Sequence, residues 1–226
     1  SLTLSRGFSQ HEVGQLGLKY KSVRNFNVSD TSRLEASAPE LNSGIVRYHS
    51  LVASYRFDSR NSFINPSRGW VIQAEAEYAP HSGSTNVRFG RLGGWIQYYA
   101  TLFYPKTIFA FRFGAQGLLG HGLPVQVLLP IGGNQTLRGS PQDRFLDRNS
   151  GILNAEVRFP IFWRFGGVLG YDAGKVWGEP AKADLIRWAT NPVAGLRFFM
   201  ETFVVRMDLG FGRETTGFYL NFGHLF

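Results

Sequence analysis

The chain contains no cysteine, which excludes disulfide bridges, thiolate metal sites and a cysteine nucleophile. Long hydrophobic runs are missing too. No window approaches the ~18 uninterrupted apolar residues of a spanning helix, so a helical membrane protein is excluded. No basic segment followed by an apolar one opens the chain at Ser1, and any targeting segment is expected to have been removed or to lie upstream. Acidic residues are few, with Asp+Glu 16 against Lys+Arg 24, which leaves a formal charge of +8. The five histidines (His11, His49, His81, His121 and His224) form no His-x-x-x-His or Glu-x-x-His pair, so a metal centre has little support. Neither a Gly-x-Ser-x-Gly elbow nor a phosphate-binding Gly-x-x-x-x-Gly-Lys occurs. Ser140, Ser150 and His224 could be imagined as catalytic, but no motif places a serine, a base and an orienting group together, and the expectation is that the protein is not an enzyme and has no cofactor. His224 reads instead as a strand-end residue at the membrane interface.

The 226 residues suit one domain or two small ones. Hydrophobic residues make up 43%, aromatics 15%, and Phe alone numbers 20, a composition too rich in core-forming side chains for a disordered chain. The dominant signal is a period of two. Trp70, Ile72, Ala74, Ala76 and Tyr78 alternate with Gln73, Glu75 and Glu77. Phe109, Phe111, Phe113 and Ala115 alternate with Arg112, Gly114 and Gln116. Leu153, Ala155, Val157, Phe159 and Ile161 oppose Asn154, Glu156 and Arg158, and Phe203, Val205, Met207, Leu209 and Phe211 oppose Thr202, Arg206, Asp208 and Gly210. Successive strand side chains point to opposite faces, so each segment has one apolar and one polar side.

Two architectures use such strands. A soluble sandwich buries the apolar face between sheets, whereas a membrane barrel turns it to lipid and lines a lumen with the polar face. The segments run ~10 residues or more, the length a tilted strand needs to cross a bilayer. Trp70, Tyr78, Tyr98, Tyr104 and Trp177 fall near segment ends, as interfacial girdles do. Short links, around Pro105–Lys106 and Phe162–Trp163, alternate with long ones. The expected fold is all-β, a transmembrane antiparallel β-barrel occupying residues 1–226. Segments near 2–8, 12–23, 45–57, 69–79, 91–104, 107–119, 151–161, 164–175, 193–200, 202–211 and 217–226 give about 11–12 visible strands. Because a bilayer does not tolerate an open, lipid-exposed edge, the sheet is expected to close on itself or on another chain. Residues 24–44 and 176–192 read as long polar extracellular loops, and about 121–150 as a longer one with an inward-folding course.

That long loop carries Ile131-Gly132-Gly133-Asn134-Gln135-Thr136-Leu137-Arg138-Gly139-Ser140. Asn154-Ala155-Glu156-Val157-Arg158-Phe159-Pro160 and Gly170-Tyr171-Asp172-Ala173-Gly174 follow it. Upstream stand Asp58-Ser59-Arg60 and Asn65-Pro66-Ser67-Arg68-Gly69-Trp70, and the chain closes with Phe218, Phe222 and Phe226. In this order the segments resemble the outer-membrane β-barrel assembly and translocase superfamily, the bacterial surface antigen family of BamA, TamA and FhaC type. The hallmark there is an Arg-Gly preceded by glycines, here Arg138-Gly139, with Leu137 and Ser140 departing from the commonest flanking residues. The match covers residues 58–226; residues 1–57 fit as generic strands.

The resemblance implies an outer-membrane protein of a Gram-negative bacterium or a derived organelle. Its work would be inserting or translocating polypeptides through a weak barrel seam, with the strand 217–226 as one seam partner and Phe218, Phe222 and Phe226 as the C-terminal signal. Family barrels have sixteen strands and usually follow POTRA domains, and nothing here reads as one. The chain is therefore either a short barrel or the C-terminal part of a sixteen-stranded one. Implied partners are outer-membrane lipids, lipopolysaccharide and unfolded β-barrel or passenger clients, with homo-oligomerisation left open. Nucleic acid is not expected, since the basic residues are dispersed and no nucleic-acid-binding signature accompanies them.

The residues themselves suggest how the loop is held. Glu156 and Asp172 fall on the polar side of neighbouring strands, and a planar guanidinium can fork onto carboxylates. Arg138 is expected to enter the lumen and bind Asp172 and Glu156, locking the loop and its Gly139 turn to the inner wall. Glu75, Glu77, Arg112, Arg158, Arg197, Arg206 and Asp208 are expected to form ion pairs that fill the pore. The alternative function is a passive channel or structural barrel with the loop as plug.

Overall fold

The computed structural model describes residues 1–24, 45–81, 87–102, 106–178 and 187–226. Its strands are β1 (Leu2–Ser9), β2 (Glu12–Arg24), β3 (Ile45–Asp58), β4 (Gly69–Ala79), β5 (Phe89–Thr101), β6 (Ile108–Leu119), β7 (Leu129–Ile131), β8 (Phe145–Asp147), β9 (Asn149–Phe162), β10 (Phe165–Trp177), β11 (Ala189–Phe199), β12 (Val204–Phe211) and β13 (Thr216–Phe222). Eleven of them form one antiparallel sheet in the order β1-β2-β3-β4-β5-β6-β9-β10-β11-β12-β13, and β7 pairs with β8 in a separate small ribbon. No α-helix occurs among the described residues, and no helix is long and apolar enough to cross a membrane.

Alternation survives as two faces of one wall. In β4, Trp70, Ile72, Ala74, Ala76 and Tyr78 are exposed while Val71, Glu77 and Ala79 are buried. In β12, Val204, Arg206, Asp208 and Gly210 are buried and Leu209 and Phe211 exposed. Buried positions therefore include Glu77, Glu156, Arg158, Asp172, Arg197, Arg206 and Asp208, whereas Leu4, Leu16, Leu92, Phe113, Leu169, Leu209, Phe218 and Phe222 stand exposed. A wall with charge inside and hydrocarbon outside is the arrangement a bilayer selects and water opposes.

The two ends of the wall differ. One carries tight links, such as residues 10–11 between β1 and β2 and 163–164 between β9 and β10; the other carries the long connections. Near the tight-link end, Trp70 packs on Tyr98 with ring centroids 4.3 Å apart. Tyr104 and residues 25–44, 82–86, 103–105 and 179–186 lie outside the described residues. The 178–188 connection is shorter than the expected 176–192, because β10 runs on to Trp177 and β11 opens at Ala189.

The structure differs from the expected course at the long connection, at the end of the last strand and at His224. Residues 121–150 are not structureless: they contain a 3-10 turn at Val125–Val127 and the β7–β8 ribbon, and β9 already begins at Asn149. The last strand ends at Phe222 rather than 226. Gly223 has φ +84, a conformation that L side chains resist, and the chain turns inward there. Phe226 therefore does not share the outward face of Phe218 and Phe222; it is buried with Leu225 against Val71, Tyr99 and Ala110. His224 follows it in, bonding Asn65 at 3.2 Å and facing Phe199, instead of standing at a lipid interface. Among the described residues, β1 pairs with β2 alone and β13 with β12 alone.

Among the described residues, the interior holds two apolar clusters at opposite ends. Near the long connections, Leu123, Val127 and Leu129 pack on Val46, Tyr48, Ala79, Phe89 and Leu118. Near the tight links, Leu225 and Phe226 pack as described.

Candidate functional site

The connection from β6 to β9 enters the interior and returns. Its first limb is apolar and is held by the cluster just named. Its tip is a tight turn, in which Leu137 N–H donates to Gly133 O at 3.2 Å and Gly133 N–H to Ser140 O at 3.0 Å. Thr136 braces the turn through its hydroxyl, which accepts from Gly132 N–H at 2.8 Å and donates to Gly132 O at 3.0 Å.

Arg138 follows this turn and has no exposed side-chain surface. Its Nε and Nη2 donate to Asp172 Oδ2 and Oδ1 at 2.9 and 2.8 Å, a two-pronged bond, and its backbone N–H adds a third to Oδ2 at 3.0 Å. Nη1 donates to Glu156 Oε1 at 2.7 Å and to Asp208 Oδ2 at 2.8 Å. The structure thus brings Arg138, Glu156 and Asp172 together. It adds Asp208 of β12, which the sequence reading left among the pore-filling ions. Alternation put Asp208 inward, but nothing in linear order shows that β12, two strands beyond β10, curves back to the same guanidinium.

The surrounding network is dense. Asn154 Nδ2 donates to Asp172 Oδ1 at 2.7 Å and to Thr136 O at 2.8 Å, while Arg112 donates to Asn154 Oδ1 at 3.0 and 2.7 Å and to Gln135 O at 2.6 Å. Asn191 Nδ2 donates to Arg138 O at 2.6 Å. Arg158 bonds Glu156 at 2.9 Å, Arg197 bonds Asp208 at 2.6 Å, and Arg206 bonds Asn134 at 2.8 Å. A second ionic group joins Glu77 to Lys19 at 3.2 Å, Arg91 at 2.9 Å and Ser50 at 2.6 Å on the far wall.

Gly139 explains the second letter of the Arg-Gly pair. Its φ is +94, and a Cβ there would stand 2.7 Å from backbone atoms of Gly210 and Gly212. A Cβ on Gly210 would in turn strike the Arg138 and Gly139 backbone. Loop and wall meet backbone to backbone at this point, and only glycine on both sides permits it.

Beyond the buried network, Arg144 and Glu214 pair across the mouth at 2.6 and 2.7 Å. The hydrogen bond from Arg144 holds the Glu214 carboxyl below its usual range. Ser150 and His224 sit at opposite ends of the wall, and Ser140 is buried beside Asn191. Among the described residues no group of three or more potential metal ligands occurs.

The antiparallel all-β wall agrees with the comparisons to known proteins. No curated protein sequence matches the chain. Among solved structures it is similar to BamA from Haemophilus ducreyi lacking POTRA domains 1–3, with a TM-score of 0.72, 14% identity and 97% of this chain covered. The match takes in 52% of that protein, so the chain spans about half its length. At this identity the likeness establishes the fold, an outer-membrane-type β-barrel wall. The model of the Omp85 superfamily domain matches residues 1–225, and the chain belongs to the Omp85 superfamily.

Proposed function

We propose that the protein is an outer-membrane insertase- or translocase-like barrel that passes polypeptides through a weak seam while its Arg138–Gly139 loop stays locked inside the lumen. The observation that carries this reading is the burial of Arg138 against Glu156, Asp172 and Asp208, in the segment whose sequence resembles the family's Arg-Gly hallmark. A lock of that kind stiffens β9, β10 and β12, while β13 meets the loop through the weaker Asn134–Asn221 and Tyr219–Ser140 contacts at 3.3 and 3.4 Å. β13 is seven residues long, is held by β12 alone among the described strands, and ends where Gly223 turns the chain inward. An unpaired edge is a template for a client strand by β-augmentation, in which main-chain bonds give affinity without sequence demand. The chemistry is hydrogen-bond exchange, with no covalent step.

The partners in this reading are unfolded β-barrel or passenger segments, met in an outer membrane. The test is folding of an unfolded outer-membrane barrel into liposomes that contain the protein, followed by the heat-dependent gel shift of the client. Faster client folding that depends on Arg138 supports the proposal. Ion conductance without any effect on client folding would instead mark a passive channel or structural barrel.

A further inference from the structure

The inner wall carries more positive charge than its acids balance. The guanidiniums of Arg112, Arg138, Arg158, Arg197 and Arg206 share one network with only three carboxylates, those of Glu156, Asp172 and Asp208. Arg138 bonds all three acids, whereas Arg112 donates to the neutral oxygens of Asn154 and Gln135.

The imbalance gathers between β11 and β12. Arg197 and Arg206 are directly paired across these strands, and both are buried, 0% and 2% exposed. Like charges directly opposite each other destabilise a sheet, and a buried cation without a counter-charge is costly. The acid beside the pair is shared. Asp208 takes Arg138 at 2.8 Å and Arg197 at 2.6 Å, which leaves Arg206 Nε 3.4 Å away. Glu156 takes Arg138 and Arg158 and stands 3.6 Å from Arg197 Nη2.

Unused donors mark the same pair. Arg197 donates Nη1 to Asp208, while its buried Nε and Nη2 have no hydrogen-bond acceptor among the described residues. Arg206 donates Nη2 to Asn134, and its Nε and Nη1 are likewise buried without an acceptor. Nε and Nη2 form the edge with which Arg138 grips Asp172, so Arg197 keeps a complete fork open. Water completes hydrogen bonds but supplies no charge. Toward the tight links, Phe199 and Val204 form the next pair of the same two strands, and His224 packs on Phe199 at 6.1 Å.

We infer that Arg197 and Arg206 bind a small inorganic anion, chloride or a phosphate-type oxyanion, between β11 and β12. Nε and Nη2 of Arg197 and Nε and Nη1 of Arg206 are its donors. Burial of both side chains restricts the ligand to a free ion and excludes the carboxylate of an acidic peptide. The ion joins β11 to β12, where the Arg138 lock joins β9, β10 and β12. The site is independent of any client.

The test uses the folded protein in detergent micelles at constant ionic strength, with a bulky organic sulfonate as the starting anion. Folding is first verified by the heat-dependent gel shift. Chloride or phosphate then replaces the sulfonate stepwise, and the unfolding temperature is read. An anion that binds only the folded state raises it with the logarithm of concentration above the dissociation constant. The wild type is expected to show this rise with at least one of the two, and the one that acts identifies the ion. R206Q should need roughly tenfold more anion or beyond for the same rise, the worth of a hydrogen bond to a charged group. R24Q, which removes an exposed arginine of the outward face, should titrate as the wild type does. Crystals of the wild type containing bromide or selenate locate the ion without any variant, and an anomalous peak between the two guanidiniums is expected. No rise with either anion overturns the inference. So does an equal rise in wild type, R206Q and R24Q, which marks a general salt effect. Anomalous peaks on exposed arginines alone, an adventitious ion only, overturn it as well.

Discussion

At the scale of single residues, Arg138 is the position on which most depends. One guanidinium satisfies three fully buried carboxylates. Removing one partner of a buried ionic group costs on the order of 3–5 kcal/mol, because the remaining charges are stranded. Arg138→Ala is therefore expected to free the loop tip and lower stability by that amount, with the wall strands kept. Arg138→Lys should fall between, since an ammonium keeps the charge but cannot fork onto Asp172. Limited proteolysis within residues 132–145, together with urea unfolding in vesicles, checks both; a loop as protected in Arg138→Ala as in the wild type would remove the lock from the account. The Arg144–Glu214 pair makes a second prediction at this scale. The Glu214 carboxyl is depressed by its bond from Arg144, so this contact is fully present above the ordinary carboxylate value of about 4.3 and is lost as pH falls through the lower, folded value. The ribbon near Arg144 should become more protease-sensitive below about pH 4. Because both groups are exposed, high salt should have a similar effect at neutral pH.

At the scale of elements, β13 and its tail decide how the wall ends. Gly223 turns the chain in, and Phe226 lies between the guanidiniums of Arg112 and Arg158, with Cζ 5.2 and 5.3 Å from the ring centroid. No atom lies within 4 Å of where a Gly223 Cβ would stand, so a substitution there acts through the backbone conformation alone. Gly223→Val should cost about 1–2 kcal/mol of left-handed strain and let the tail leave. Hydrogen exchange at residues 224–226 is expected to accelerate, with β9 and β10 unaffected; unchanged exchange would mean that the apolar cluster, rather than the turn, holds the tail. Phe218, Phe222 and Phe226 look equivalent in sequence because all three are aromatic and near the end. They differ because period two places side chains only while the strand lasts, and a positive-φ residue ends it.

For the whole molecule, the sheet separates two environments. Phe113 faces outward in the middle of β6, and Gln116 faces the interior three positions later. Phe113→Arg at a lipid-facing mid-strand position should cost about 2–4 kcal/mol, whereas Gln116→Arg should be nearly silent. The fraction of protein that shows the heat-dependent gel shift after folding into vesicles measures the difference. Equal tolerance at both positions would count against a lipid-facing Phe113.

The amino-acid sequence alone determined that the chain is an antiparallel wall with one apolar and one charged face, because the direction of strand side chains follows from parity and needs no neighbour. The same parity put Glu156 and Asp172 on the inner side, while the inward course of Arg138, a loop residue, was an expectation that its structure bears out. Tertiary structure decided what parity cannot reach. It brought Asp208 to the same guanidinium through the curvature of the sheet, set Gly139 against Gly210 by the depth to which the loop descends, and folded Phe226 inward through one backbone angle. Each of these depends on distances between residues far apart in sequence, which are fixed only once strand order, bend and loop entry are all in place.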